Sequence, residues 1–131
     1  MHFRHEVKHE ISSHDRLILR QRLRAVMKPD GHAVNGQYEI RSLYFDNLDD
    51  KALREKLDGV YVREKYRIRL YNHDSSIIYL ERKFKHGALC CKTSASLTRK
   101  QAQAIADGDV EWMSCSTDEV ILGFYARIRN E

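Results

Sequence analysis

The segment Val62–Tyr71, VREKYRIRLY, has a regular alternation of polar and apolar positions. With a period of two, one face of a strand carries the cations Arg63, Lys65, Arg67 and Arg69, and the other face carries Val62, Tyr66, Ile68 and Leu70. Four cations on one strand face repel one another. This face is therefore expected either to lie in open water or to hold an anion.

Similar patterns predict four further strands, at Phe3–Ile11, Tyr38–Asp46, Ile77–Lys85 and Leu89–Leu97. Gly87 separates the last two, as expected for a tight turn. Helices are predicted from Ser12 or Ser13 to about Met27, from Asp46 or Asn47 to Leu57, from Thr98 to about Ala106, and from Ser116 to the end. Five strands and four helices joined by short connections predict an α+β fold, an antiparallel sheet with helices on one face.

Two of these helices carry an apolar stripe that predicts packing against the sheet. In the first helix the stripe is Leu19, Leu23, Val26 and Met27, and in the last it is Val120, Ile121, Phe124, Tyr125 and Ile128. Capping boxes are predicted at Thr98 with Gln101 and at Ser116 with Glu119. The apolar strand faces should pack under the helices, so the charged strand faces should lie together on the opposite side.

Composition indicates a single basic domain in a reducing compartment. The chain has 131 residues, a net charge of +4 and three cysteines, and their spacing matches neither a disulfide framework nor a zinc site. It contains no apolar run of 18 residues and no signal-peptide pattern, so we expect a cytoplasmic protein without a membrane segment.

Alternation collects eight cations and two carboxylates on what we call the charged face: Glu6, Lys8, Arg63, Lys65, Arg67, Arg69, Glu81, Lys83, Lys85 and Lys92. A solvated sheet face with cross-strand ion pairs is the usual interpretation of such a pattern. The arginines at alternate positions favour a phosphate site, because the planar guanidinium matches phosphate oxygens. The two carboxylates could hold a divalent metal that bridges phosphates.

Six segments in order carry a resemblance to a known family: RHEVKHEI from Arg4, IRSLYFDN from Ile40, LREKLDG from Leu53, REKYRIRLYN from Arg63, IYLERKFKHG from Ile78 and CKTSASLT from Cys91. Together they resemble the vacuolar transporter chaperone (VTC) domain of polyphosphate polymerases, a branch of the triphosphate tunnel metalloenzymes (CYTH-like superfamily). The resemblance implies a tunnel of antiparallel strands, lined by Lys and Arg, that holds the triphosphate of ATP and a growing polyphosphate chain.

The resemblance also implies roles for individual residues. Matching motifs place phosphate-binding residues at Lys8, Arg67, Arg69, Lys83 and Lys92, of which Arg67, Arg69 and Lys83 are the implied catalytic residues. Glu6 and Glu81 correspond to tunnel carboxylates that would bind Mn²⁺ or Mg²⁺. The implied reaction transfers the γ-phosphate of ATP to polyphosphate and releases ADP.

Family members are roughly twice as long as the matched region, and their second half supplies further strands and ligands. We therefore interpret residues 1–131 as one VTC-like domain that lacks the second half of the tunnel. About five strands do not comfortably close a wide tunnel. This predicts self-association, as a homodimer or a larger assembly that completes the tunnel.

Three other functions are considered. A non-catalytic polyphosphate- or nucleotide-binding module would bind without releasing ADP. A nucleic-acid-binding sheet is disfavoured, because such sheets display aromatic rings for base stacking and here Tyr66 and Phe84 alternate to the opposite face. A related tunnel triphosphatase or adenylate cyclase would show Glu-x-Glu-x-Lys in the first strand, where this chain has Arg4, Glu6 and Lys8.

Overall fold

The computed structural model describes residues 2–130, which form an antiparallel sheet of five strands in the order β1-β5-β4-β3-β2. The strands are β1 (Arg4–His5), β2 (Ile40–Tyr44), β3 (Val62–Tyr71), β4 (Asp74–His86) and β5 (Leu89–Leu97). The helices are α1 (Ser13–Arg24), α2 (Lys51–Leu57), α3 (Arg99–Ala106) and α4 (Glu119–Asn130), with a 3₁₀ turn at Glu111–Cys115 before α4. The mixed α and β composition and the antiparallel sheet confirm the coarse fold prediction.

The first strand is much shorter than the predicted Phe3–Ile11, which was wrong in its extent. Arg4 pairs with Cys90 and His5 pairs with Leu89. Because the strands are antiparallel, the next residue of β1 would face Ala88 in the turn that precedes β5. Because β5 begins at Leu89, the residues that follow His5 have no strand to pair with, although their alternating pattern continues.

Two tight turns fix the register of β3, β4 and β5. Between β3 and β4, Asn72 and His73 have φ of 52° and 57°, and positive φ at both central residues is typical of a two-residue hairpin turn. Between β4 and β5, Gly87 has φ of 58°, and a Cβ there would lie 2.7 Å from the Tyr61 ring. Glycine is therefore required at this turn by both conformation and space.

The core lies between one sheet face and the C-terminal helices. Its strand residues include Tyr66, Ile68, Leu80 and Ala95, and Leu80 is 0% exposed. From the helical side the core receives Ile105, Met113, Val120, Ile121 and Phe124. The ring centroids of Tyr66 and Phe124 are 4.8 Å apart, so α4 packs directly on β3. The prediction that the apolar strand faces pack under helices is confirmed for α3 and α4.

The N-terminal helices have no buried residues, and only α1 has its N-cap as predicted, at Ser12. The predicted start of α2 at Asp46 or Asn47 was wrong, since the helix begins at Lys51 and Asp50 is its N-cap residue. Ser12 and Asp15 form a capping box for α1, and the Asp46 carboxylate accepts hydrogen bonds from the backbone N–H groups of Ala52 and Leu53 in α2. The predicted stripe of α1 is wrong as a core stripe. Leu19 and Leu23 are 40% and 46% exposed, and Val26 and Met27 lie beyond the end of the helix.

The start of α4 also differs from the prediction. Instead of a Ser116–Glu119 box, the Asp118 carboxylate accepts hydrogen bonds from the N–H groups of Val120 and Ile121. Asp118 directly precedes α4, so its carboxylate caps the first turn without a contribution from the Glu119 side chain. Ile128 was predicted in the core but is 39% exposed, because it lies in the last turn of α4 where the packed interface ends.

The sheet does not close on itself within residues 2–130. There, β1 pairs only with β5 and β2 pairs only with β3, which leaves two open edges. Across the same residues no helix has the length and apolar character needed to cross a bilayer.

Candidate anion-binding site

Cross-strand pairing brings the charged residues of β3, β4 and β5 onto one face of the sheet. Arg67 lies opposite Glu81, and Lys65 lies opposite Lys83. Lys83 in turn lies opposite Lys92 of β5. Like charges directly opposite one another are destabilising, so this face carries a concentration of positive charge that the fold itself does not require.

Glu81 is the centre of one half of the charged face and is only 2% exposed. Its carboxylate accepts hydrogen bonds from Arg67 Nε at 2.7 Å and Lys92 Nζ at 3.2 Å, and Arg67 Nη2 lies 2.6 Å away. Arg69 Nε is more distant, at 3.9 Å. Burial would raise the pKa of Glu81, but the hydrogen bonds from Arg67 and Lys92 outweigh it and lower the pKa below its ordinary value.

Tyr44, to which the sequence assigned no role, lies on the charged face beside Arg67. Its hydroxyl accepts a 2.7 Å hydrogen bond from Arg67 Nη1, and its ring centroid is 4.9 Å from Lys65 Nζ. Burial would raise the pKa of Tyr44, but Arg67 and the neighbouring cations outweigh this and lower it. The same β2 pairing aligns Ser42 with Arg69, whose Nε donates to Ser42 Oγ at 3.3 Å.

These contacts leave the two arginines with different numbers of available donors. The guanidinium of Arg67 is held on one side by Glu81 and on the other by Tyr44. Arg69 is held only through Nε, and among residues 2–130 its two terminal nitrogens contact no acceptor. Both side chains are largely buried, with 13% and 18% exposure. Arg69 thus has two unengaged N–H₂ groups in a partly desolvated position.

The second half of the charged face forms a cationic cavity of about 360 Å³. Its walls include Lys8, Lys56, Arg63, Lys65, Lys83 and Lys85, and the one carboxylate of the charged face among them is Glu6. Both Glu6 oxygens accept from Lys83 Nζ at 2.8 Å. Burial is the largest cause that lowers the pKa of Lys65, and the positive charges of Lys83 and Arg67 lower it further.

All seven residues predicted for the site therefore lie on this face, in two clusters. Arg67, Arg69 and Lys92 surround Glu81, whereas Lys8 and Lys83 accompany Glu6. Lys8 is the most peripheral, since its side chain is 86% exposed and 4.0 Å from Glu6. The predicted site did not include Tyr44 and Ser42. Their spacing of two residues in IRSLY is the signal that would have placed them together on one face of a strand.

The carboxylates of Glu6 and Glu81, the residues predicted to bind a metal, are paired with cationic side chains in this arrangement. Their oxygens already accept hydrogen bonds from Lys83, Arg67 and Lys92, and cationic partners oppose the approach of a divalent ion. Residues 2–130 contain no group of three or more His, Cys, Asp or Glu side chains placed to share a metal ion. The Mn²⁺ or Mg²⁺ role of Glu6 and Glu81 stays a prediction.

A larger cavity of about 500 Å³ lies between α2, α4 and the sheet face that packs against α3 and α4, which we call the covered face. Aromatic residues of its wall include Phe45, Phe84 and Phe124. Two of its three arginines, Arg82 and Arg127, bind the Glu64 carboxylate at 2.6 Å, and the third, Arg63, donates to backbone carbonyls of α2. Because one carboxylate already bridges these two arginines, the charged face is the better anion site.

The sequence matches the VTC domain over residues 3–131, which is essentially the whole chain. The chain belongs to the VTC-domain family. No curated protein and no solved structure matches it. In this VTC domain, the segment that contains Arg67 and Arg69 is β3, which pairs with β2 on one side and β4 on the other.

Proposed function

We propose that this VTC domain binds the triphosphate of ATP and inorganic polyphosphate on the charged face and transfers the γ-phosphate of ATP to the polyphosphate chain. The observation that carries the proposal is the row of partly buried cations Lys65, Arg67 and Arg69, in which the two arginines share the single carboxylate of Glu81. A row of this kind is costly unless an anion neutralises it. A chain of phosphates supplies regularly spaced negative charge of the required sign.

The arginines have complementary parts in this proposal. Tyr44 and Glu81 fix the plane of Arg67, so its remaining N–H bonds have a set direction. The terminal nitrogens of Arg69 can bind two phosphate oxygens at once, as guanidinium groups commonly do. Lys83 and Lys92 lie across the neighbouring strands and add positive charge beside the same track.

Phosphoryl transfer asks the protein for positioning and for charge neutralisation. A terminal oxygen of polyphosphate would attack the γ-phosphorus of ATP while the bond to the β–γ bridging oxygen breaks, so that polyphosphate gains one phosphate and ADP leaves. Arg67, Arg69 and Lys83 would stabilise the negative charge on the transferred group. No side chain is needed as a covalent nucleophile.

A closed tunnel remains part of the proposal. The open edges of β1 and β2 are consistent with a homodimer or larger assembly whose sheets extend or face one another. Sedimentation velocity at tens of micromolar tests this, because the proposal expects a concentration-dependent dimer. A monodisperse monomer over that range would contradict self-association while leaving anion binding to be judged separately.

Calorimetric titration with short-chain polyphosphate, with and without Mn²⁺, tests the function. Arg69→Ala should weaken binding at least tenfold, because a charge-assisted bidentate contact contributes roughly 1.5–3 kcal/mol. Arg82→Ala is the matched control, since Arg82 lies on the covered face of the same sheet and binds Glu64. Equal losses in the two variants, or none in Arg69→Ala, would contradict the proposal.

A non-catalytic binding module is the second candidate. It is favoured by the engagement of Glu6 and Glu81 with cations, since residues 2–130 offer no group of three or more His, Cys, Asp or Glu side chains for a catalytic metal. Coupled measurement of ADP release from ATP in the presence of polyphosphate separates the two functions. Binding with ADP release supports the polymerase, whereas binding without it supports the module.

A further inference from the structure

We propose that the aromatic cluster of His32, Tyr38 and Tyr71 stacks the nucleobase of a bound nucleoside triphosphate; this rests on the proposed phosphate site. The His32 and Tyr71 rings are stacked, with centroids 4.3 Å apart and an interplanar angle of 7°. Tyr38 stands at an angle to both, 6.3 Å from His32 and 5.8 Å from Tyr71. Alternation predicted that Tyr66 and Phe84 lie on the opposite face, and it did not predict this cluster.

The cluster is continuous with the charged face through Arg69. The guanidinium carbon of Arg69 lies 5.9 Å from the Tyr71 ring centroid, so Tyr71 and Arg69 share one side of the sheet. Along β3 they are two residues apart, or ~7 Å at the usual strand rise. Tyr71, Arg69, Arg67 and Lys65 then follow in order, which places an aromatic surface at one end of a row of cations.

That order matches the chemistry of a nucleoside triphosphate, in which a flat base is joined to a row of negative charges. Any base offers a π-face to a protein ring, and base–aromatic stacking contributes measurably to affinity. A base on the cluster would direct its phosphates toward Arg69 and Arg67. Inorganic triphosphate, which has no base, would use the same cations without this contact.

The cluster is both accessible and held in place. His32 is exposed and Tyr38 is 36% exposed, and within residues 2–130 the His32 ring contacts no aromatic ring besides Tyr38 and Tyr71. The Asn72 side chain donates to the His32 carbonyl at 2.9 Å and accepts from the Glu39 N–H at 3.0 Å. A surface fixed before binding loses little conformational freedom when a ligand stacks on it.

The same contacts would serve a purely structural anchor for the loop that contains His32. An anchor and a base platform differ in one measurable respect, the selectivity between ATP and inorganic triphosphate. Loss of an anchor would alter the affinity for both ligands alike or for neither. Loss of a platform alters the affinity for ATP alone.

The experiment is calorimetric titration of the full chain with ATP and, separately, with inorganic triphosphate at equal ionic strength. His32→Ala should weaken ATP binding about tenfold and leave triphosphate binding unchanged. His32→Phe should restore ATP affinity because it keeps a flat ring. His14→Ala, an exposed histidine on α1, is the matched control and should change neither affinity.

Each outcome decides the inference. Selective loss of ATP affinity with rescue by His32→Phe supports a base platform. Equal loss for both ligands, or no loss for ATP, overturns it while leaving the phosphate site intact. If the unmodified chain binds neither ligand, the proposed phosphate site fails and this inference fails with it.

Discussion

The two faces of β3 and β4 are built from alternate residues of the same segments, yet they have opposite properties. On the covered face, Ile68 and Leu80 are opposite one another and buried. One residue earlier on β3 and one later on β4, Arg67 and Glu81 are opposite one another on the charged face. The covered face supplies apolar burial, and the charged face concentrates positive charge around one buried carboxylate. Stability and anion binding should therefore be separable by mutation.

The largest effect on stability is expected from Leu80→Ala on the covered face. Leu80 is 0% exposed, and removal of a fully buried leucine costs about 2–5 kcal/mol of unfolding free energy. Urea denaturation measures this cost. Leu48→Ala, at a fully exposed leucine, should stay within about 0.5 kcal/mol. A similar loss in both variants would mean that the two sites do not differ in burial as described.

Glu81→Gln should destabilise the chain by about 1–3 kcal/mol at neutral pH, because it weakens the charge-assisted hydrogen bonds from Arg67 and Lys92. The pKa of Glu81 is lowered below its ordinary value of 4.5 in the fold. Its contribution is therefore complete above the pKa of the unfolded chain and is lost as pH falls through the lower folded pKa.

Unfolding free energies of Glu81→Gln and the unmodified chain, compared from pH 7 to pH 3, test this sign. The difference should be constant at high pH and should shrink below about pH 4.5. A difference in unfolding free energy that grows on acidification would contradict the conclusion that ionised Glu81 stabilises the fold. Glu10→Gln, at an exposed glutamate, is the control for removing one carboxylate elsewhere.

Tyr44→Phe should weaken polyphosphate binding about fivefold, since it removes the hydroxyl that orients Arg67 but keeps the ring beside Lys65. If Tyr44 acts through Arg67, the same change should cost nothing when Arg67 is already alanine. Calorimetry on the two single variants and the double variant measures this coupling. Additive losses would mean that Tyr44 contributes independently of Arg67.

The smallest effect is expected from Lys8→Ala, although the family resemblance implied a phosphate-binding role for Lys8. Its side chain is 86% exposed, so solvent and salt screen its charge, and the loss should be about twofold or less. Lys83→Ala is the internal comparison, because Lys83 is 26% exposed and lies in the cationic cavity. Equal losses in these two variants would show that Lys8 moves onto the ligand.

Sequence patterns predicted the features that depend on neighbouring residues. The bounds of β3 and β5 match the predicted segments, and the cap of α3 forms at Thr98 with Gln101. These succeed because alternation and capping are local. The end of β1 was not predictable in this way, since it depends on where β5 begins to pair.

Contacts between residues distant in the sequence could not be predicted from the alternation of polar and apolar residues. The side of the sheet on which Tyr44 lies follows from the pairing of Tyr44 with Arg67, and alternation in β2 alone fits either side. The contact between Glu6 and Lys83 joins residues 77 positions apart. The apolar stripe of α1 predicted the helix correctly but not its burial, because periodicity describes a helix face and does not supply a partner for it.

The central claim is that the charged face, and not the covered face, holds the phosphates. Its most direct test is an NMR titration with short-chain polyphosphate that follows the arginine Nε–H signals. Arg67 and Arg69 should shift strongly and saturably, while Arg82, bound to Glu64 on the opposite face, should stay in place. Shifts that are larger at Arg82, or equal and non-saturating at all arginines, would contradict the assignment of the phosphate site.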